Sequence, residues 1–491
     1  MDSFAEDTKN FTEWLTSSVS YKVSSKVKIE DFRRSNEGRC VIAIEDIPVD
    51  ETIFEIPRES ILNVQTSQLV KDHPTVSDDL MNGLGHWEGL ILCLFYEMFV
   101  IKKGSKWWAY LKVFPAPTEL QSLIYWTDEE LQQLQPSLIL ERIGRDKSLK
   151  MFNSLLKYIT DNQTIINISV GSFTWETFVY VASIIMAYSF DVENPEFGEI
   201  QDDFNEDEQD SNIQNDNFMK SMIPLADTLN SDTKKCNANL IYDSESLKMC
   251  AIKPIKAGEQ VYNIYGNHPN AELLRRYGYV EWSGSKFDFG EIPLDTIVEV
   301  LHCKYNVEFE FIKQLLEIIG NSEEIEELLE GEVMISGAYD CYIDGQILTE
   351  VVILLQIMCV LLQTPGITAL DIDMLDKQVV RTTKKCVQLL EGGKLTSECE
   401  SIWRKCIEMR IKDYPSHANR EVAAIASDIN TSTLRGLMAQ RVLQSEIQSL
   451  QKCSNSLKTQ YKTIDDVKLL NNILKRKSEE PENMNTKRPK H

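Results

Sequence analysis

Cations are scarce in this sequence: its 491 residues carry 51 Lys and Arg against 76 Asp and Glu, a formal net charge of −25. Phosphate contacts need clustered Lys and Arg, so direct nucleic-acid binding is disfavoured, while a basic protein partner would be attracted. Acidity of this kind also serves solubility alone. No apolar run reaches membrane-spanning length; the stretch from Phe178 to Met186 is too short and follows Glu176. The opening Met1-Asp2-Ser3-Phe4-Ala5-Glu6-Asp7 lacks the basic-then-apolar layout of a secretion signal, so a soluble intracellular protein without membrane contact is expected. Only 6 histidines are present, and the 11 cysteines are scattered without a C-x-x-C pair. Their odd number and scatter argue for reduced thiols rather than a disulfide frame and offer no tetrahedral zinc set, so no metal is expected.

What the chain does have is one stretch, Pro224 to Tyr279, where small, polar and aromatic residues recur. It begins Pro224-Leu225-Ala226-Asp227-Thr228-Leu229-Asn230-Ser231, in which Asp227, Asn230 and Ser231 punctuate an apolar run. This reads as a buried loop whose side chains bond local backbone. A short strand pair follows. The β-prone runs Met249-Cys250-Ala251-Ile252 and Gln260-Val261-Tyr262-Asn263-Ile264 flank a turn at Lys256-Ala257-Gly258 and read as a hairpin. Tyr265-Gly266 ends the second strand, and a helix capped by Asn270 runs to a stop at Tyr277-Gly278.

Part of this stretch is repeated. Ala43, Ile44, Ile47, Glu51, Ile53, Phe54 and Ile56 recur at identical spacing as Ala251, Ile252, Ile255, Glu259, Val261, Tyr262 and Ile264. Two copies of one small β unit are the economical reading.

The Asp227-to-Ser231 loop, the Gly258-Glu259…Tyr265-Gly266 strand and the upstream Asn36-Glu37-Gly38-Arg39-Cys40-Val41-Ile42-Ala43 resemble SET-domain protein-lysine N-methyltransferases. Ser105-Lys106-Trp107-Trp108-Ala109-Tyr110, Ala187-Tyr188-Ser189-Phe190-Asp191, Asn237-Ala238-Asn239-Leu240 and Tyr277-Gly278 are similar to elements of the branch that includes the Rubisco large-subunit methyltransferase. The resemblance spans nearly the whole chain. It implies an α+β fold: a SET-type β fold with a pseudoknot, split by a helical insertion, then an all-α C-terminal domain. It also implies S-adenosyl-L-methionine as cofactor, held by Glu37, Gly38, Arg39, Tyr188, Asn230, Ser231, Tyr265 and Tyr277, with Tyr265 catalytic. Trp107 and Asp191 would meet substrate, although Trp107 reads equally as part of an aromatic core. Three positions depart from the family pattern: Cys40 replaces a second glycine, Ser231 a histidine, and Asp191 a glutamine.

The length suits two or three domains. An N-terminal helix is expected within 1–20 and the SET domain over 21–281, with its helical insertion at about 65–215. Residues 191–217 form an acidic, polar loop. Helical patterns at Phe309–Ile319, Leu348–Leu362, Asp373–Leu390, Ser397–Lys412 and Thr433–Gln451 mark a substrate-binding domain over 290–474. The tail, 475–491, holds Lys475-Arg476-Lys477 and Lys487-Arg488-Pro489-Lys490, spaced like a nuclear-import signal. The resemblance implies a monomer that monomethylates a lysine of a large-subunit (60S) ribosomal protein. A nuclear non-ribosomal substrate, or a SET-type protein that binds without methylating, remain alternatives.

Overall fold

The computed structural model describes residues 3–17, 21–35, 37–193, 218–420, 429–467 and 469–470. Most of the acidic loop, at 194–217, and the basic tail, 475–491, lie outside the described residues. The chain divides into two units, Met1–Phe287 with Glu421–Val442, and Asp288–Arg420 with Leu443–His491.

In the first unit the two copies of the repeated pattern bind each other. Ile47 and Ile255 exchange backbone hydrogen bonds, at 2.8 and 2.9 Å. The N–H of Ala43 donates to the Glu259 carbonyl and that of Ala251 to the Glu51 carbonyl, at 2.9 and 3.0 Å. Asp50 and Gly258, equivalent in the two copies, both have positive φ, 65° and 91°. The repeat is therefore a pseudo-twofold pair, and the expected hairpin at Lys256–Gly258 does not form. Its first arm, within Ser246–Ala251, instead pairs with Thr52–Pro57 and Ala238–Tyr242. Each turn satisfies its backbone on the other copy, which a local reading of turn residues does not reveal.

Four antiparallel strands form the main sheet, in the order Lys22–Val23, Thr52–Pro57, Ser246–Ala251, Ala238–Tyr242. A second antiparallel pair joins Val27–Asp31 to Arg39–Ala43, and a third joins Ser189–Glu193 to Phe218–Met222. Between the halves of the β fold lies a helical insertion, including His86–Phe95, Arg145–Asp161 and Trp175–Tyr188. Its apolar faces meet in an aromatic cluster, with the rings of Phe95 and Phe173 5.1 Å apart and those of Phe152 and Phe178 5.5 Å apart. Glu97 is fully buried; its carboxylate accepts from the N–H of Gln68 at 2.7 Å, at the start of the helix Gln68–Asp72. The N-terminal helix, Ser3–Ser17, buries Phe11, Trp14 and Leu15 in this same core.

The second unit contains helices Phe309–Asn321, Thr349–Leu362, Ile372–Glu391 and Ser397–Asp413 where the period places them. It is not all helix. Phe289–Pro293 pairs with Ala338–Tyr342, and Lys394–Thr396 with Lys462–Ile464. Strands of three to five residues carry too few alternations to be separated from loops. The stretch Glu421–Val442, assigned by sequence to the C-terminal domain, belongs to the first unit, where Met438, Ala439 and Val442 pack with Leu123, Trp126 and Leu274.

Candidate active site

The loop from Pro224 passes through a left-handed Leu225, at φ 75°, a conformation that costs a β-carbon-bearing residue about 1 kcal/mol or more. It then lays Asn230–Ser231 parallel to Tyr262–Asn263. Asn237 ties this crossing together: its Nδ2 donates to the Gln260 carbonyl at 2.9 Å, and its Oδ1 accepts from the Tyr262 N–H at 2.8 Å. The loop's polar side chains bond partners remote in sequence, not the local backbone that composition suggests. Asp227 takes the hydroxyl of Tyr110, Asn230 reaches Gln260, and the Ser231 hydroxyl accepts from the Tyr265 N–H at 3.3 Å.

Tyr265 follows that crossing, and the helix Asn270–Tyr277 returns two more tyrosines to it. Gly278 ends this helix with φ 75°, and a β-carbon there would meet the Ser122 backbone nitrogen at 2.7 Å. Asn270 is the first residue of the helix rather than its cap; its side chain instead clasps Glu281, accepting from the N–H at 2.7 Å and donating to the carbonyl at 3.1 Å. The Tyr265 and Tyr277 rings stand 4.9 Å apart, and Tyr279 meets Tyr265 edge-on at 6.2 Å. All three are partly accessible. Burial holds the Tyr265 phenol far above its ordinary pKa, with the surrounding tyrosines and Asp227 adding to the effect. It therefore stays protonated near neutral pH.

Asp227 is the acid of the cluster. Only 7% exposed, its carboxyl is pushed up to about 7 by desolvation, although the hydrogen bond from Tyr110 pulls the other way. Its charge is felt by Tyr21, Tyr188 and Tyr265. Burial raises the pKa of Tyr188, with the Asp227 charge adding to the effect and Arg39 opposing it; its ring packs 5.3 Å from that of Phe114.

In the first loop, Gly38 has φ 67°, and no atom lies within 4 Å of where its β-carbon would be. Its backbone can thus be closely approached. The guanidinium of Arg39 turns to the N-terminal helix, donating to the Thr8 hydroxyl at 2.8 Å, the Val113 carbonyl at 2.8 Å and the Phe4 carbonyl at 3.2 Å. It also stacks on the Phe4 ring, 3.7 Å from its centroid. The Glu37 carboxylate accepts from Gln260.

Glu37 is thus joined through Gln260 to Asn230, and Ser231, Tyr265 and Tyr277 are joined by direct hydrogen bonds, while the Arg39 side chain is bound to Phe4, Thr8 and Val113 instead. Trp107 is not among these. It is 1% exposed, donates its indole N–H to the Ser60 carbonyl at 3.4 Å, and lies in the core. A side chain without accessible surface cannot contact a substrate, which corrects that expectation in favour of the aromatic core. Asp191 lies on the strand Ser189–Glu193 and is paired with Lys220 at 2.7 Å. The Cys40 side chain is fully buried, so replacing glycine there leaves the loop's outer face unchanged. Sequence reasoning left out Gln260, Tyr110 and Tyr279 as site residues. Only Tyr279 had a usable signal, its spacing of two from Tyr277. Among the described residues no group of three or more His, Cys, Asp or Glu is placed to hold a metal.

Residues 38–266 match the SET domain family. Over its full length the chain is 47% identical to ribosomal lysine N-methyltransferase 4 of Saccharomyces cerevisiae, covering 100% of this chain and 99% of that protein. It is 30% identical to the N-lysine methyltransferase setd6 of Salmo salar over 59% of this chain and 61% of that one. Among solved structures it is similar to Rubisco LSMT bound to sinefungin and monomethyllysine, with a TM-score of 0.61 at 18% identity, covering 96% of this chain and 97% of the other.

Proposed function

The chain belongs to the SET-domain family of S-adenosylmethionine-dependent protein-lysine N-methyltransferases, and from that premise we propose that it adds a single methyl group to a lysine of a large-subunit (60S) ribosomal protein. The observation that carries the substrate assignment is the 47% identity to the yeast ribosomal lysine methyltransferase, sustained over the whole of both chains. A net charge of −25 suits a strongly basic partner.

The residues present suit the donor. Gly38 offers bare backbone, and Asn230 and Ser231 contribute the peptide groups of the facing segment. When bound, S-adenosylmethionine supplies an electrophilic methyl group on a sulfonium, open to in-line attack by a neutral amine.

The chain's own residues must supply that amine. A lysine with a pKa of about 10.4 is almost wholly protonated near neutral pH. Walls made by Tyr265, Tyr277 and Tyr279 take it out of water and favour loss of its proton. Tyr265 commits its hydroxyl proton to the Leu229 carbonyl, leaving its oxygen lone pairs as acceptors for an amine N–H. Because the phenol stays protonated, Tyr265 orients the amine rather than acting as a phenolate base.

We extend the proposal to a monomer and, on the strength of the two basic clusters in 475–491, to a protein found in the nucleus as well as the cytoplasm. Intact-mass analysis of the purified protein with donor and isolated 60S proteins tests the substrate. One ribosomal protein should gain the mass of one methyl group. Methylation of a nuclear protein with every ribosomal protein unchanged would overturn the assignment. Moving a tagged form out of the nucleus by deleting 475–491 would bear on the location.

A further inference from the structure

Gln260 has no part in the chemistry above, yet its side chain spans the two segments assigned to the cofactor. Its Nε2 donates to the Glu37 carboxylate at 2.6 Å, and its Oε1 accepts from Asn230 Nδ2 at 3.0 Å. A carboxylate can only accept, so chemistry fixes which end of the amide faces which partner. The Gln260 backbone is held as well, by an antiparallel bridge to Ile42 and by Asn237 on its carbonyl. The first loop is otherwise closed on itself, with Phe32 donating to the Gly38 carbonyl at 2.7 Å and Glu37 donating to the Phe32 carbonyl at 3.2 Å. Arg39 points away, to Phe4 and Thr8.

We propose that Gln260 is a positioning residue: it sets the separation of the Glu37–Arg39 loop from Asn230, and so fixes affinity for the cofactor rather than the rate of methyl transfer. The inference rests on the assignment of both segments to S-adenosylmethionine. It also gives Glu37 a definite role. The carboxylate is an anchor for Gln260, and the backbone of residues 37–38 is what the loop presents to a ligand. One of the two bonds is charge-assisted, which makes it the stronger.

The test is calorimetric binding of S-adenosylmethionine to the full-length protein and three variants. Gln260→Ala loses both bonds and should raise Kd about tenfold. It should remain folded, and its turnover at saturating cofactor should fall by a much smaller factor than its affinity. Gln260→Glu should bind more weakly still, because two carboxylates then face each other. The exchange Glu37→Gln with Gln260→Glu should restore Kd to within about threefold of wild type, since Gln at 37 can donate to a carboxylate at 260 that still accepts from Asn230. If Gln260→Ala binds like wild type, or if the exchange stays as weak as Gln260→Glu, the proposal is overturned. Absence of binding by the wild-type protein would instead overturn the cofactor assignment beneath it.

Discussion

The phenol of Tyr265 gives its proton to the carbonyl of Leu229, 2.6 Å away. A residue at the end of the strand is thereby fastened to the loop that crosses beneath it. The Tyr277 hydroxyl closes the arrangement by donating to the Tyr265 carbonyl at 3.0 Å. Ser231, where the family usually has histidine, holds the Tyr265 N–H from the other side. Serine therefore tethers the residue proposed to be catalytic.

Tyr265→Phe keeps the ring contact with Tyr277 but removes the oxygen that would accept from the amine. Turnover should fall by roughly 10²-fold while cofactor Kd stays within about threefold. Initial rates with labelled donor, together with calorimetric binding, separate these effects. Turnover near that of wild type would assign amine orientation to another group.

Cofactor binding should be visible as stabilisation. A donor at about 100 times its Kd stabilises the native state by about 2.7 kcal/mol, which raises the melting temperature. Asn230→Ala removes one end of the Gln260 bridge and should reduce the rise, to about half if Kd weakens about tenfold. A folded wild-type protein without any shift at saturating donor would contradict the site as drawn.

Some of this architecture is legible in the residues, and the limits are physical. The helices of the second unit show because a long apolar period fixes the buried face, as in Ile372–Glu391 with Leu375, Val379 and Cys386 inward. The repeat around Ile47 and Ile255 shows as spacing, but its consequence does not. Reciprocal pairing between copies is a tertiary choice, and the turn at Lys256–Gly258 looks the same locally whether it closes a hairpin or docks on Ala43. Tyr265 and Tyr277 stand out through the glycines that follow them. Gln260 does not, since its role comes from its partner at Glu37, and Asp227 shows as a polar break in an apolar run while its pairing with Tyr110 does not. Trp107 shows the converse: a motif position can be occupied by a side chain that only packs.

Asp227 should make stability depend on pH. Its folded pKa, about 7, lies above the ordinary carboxyl value of about 3.9, so the folded state holds a proton that the unfolded state has lost across this window. Stability is therefore fullest below the unfolded value and declines as pH rises through the folded one. In Asp227→Asn, which keeps an acceptor for Tyr110, the melting temperature should fall less between pH 5 and pH 8, taken as about the two ends of that window. Equal slopes in the two proteins would mean that the carboxylate is ionised throughout.

The Arg39 guanidinium predicts how the N-terminal helix is attached. Arg39→Ala removes three hydrogen bonds and the stack on Phe4. It should cost about 2 kcal/mol in urea denaturation. Residues 3–17 should also become the first site of limited proteolysis. Wild-type resistance to protease would show that Phe11, Trp14 and Leu15 hold the helix without the arginine.

Asp191 poses the sharpest question about substrate, because its charge is already matched. Lys220 sits 2.7 Å from the carboxylate, with its ammonium over the Trp87 ring. Any basic side chain of a substrate must compete with that lysine. If the proposed substrate contact is right, Lys220→Met uncovers the carboxylate and should lower the KM for a basic protein. Asp191→Asn should raise that KM, with turnover little changed in both variants. Both effects should shrink as salt rises, since partly exposed charges are screened over about 8–10 Å at moderate ionic strength. KM measured at low and high salt for wild type and the two variants decides the matter. An unchanged KM in both would leave Asp191 and Lys220 as a structural ion pair holding the strand Ser189–Glu193 to Phe218–Met222, and would remove this position from the path of the substrate.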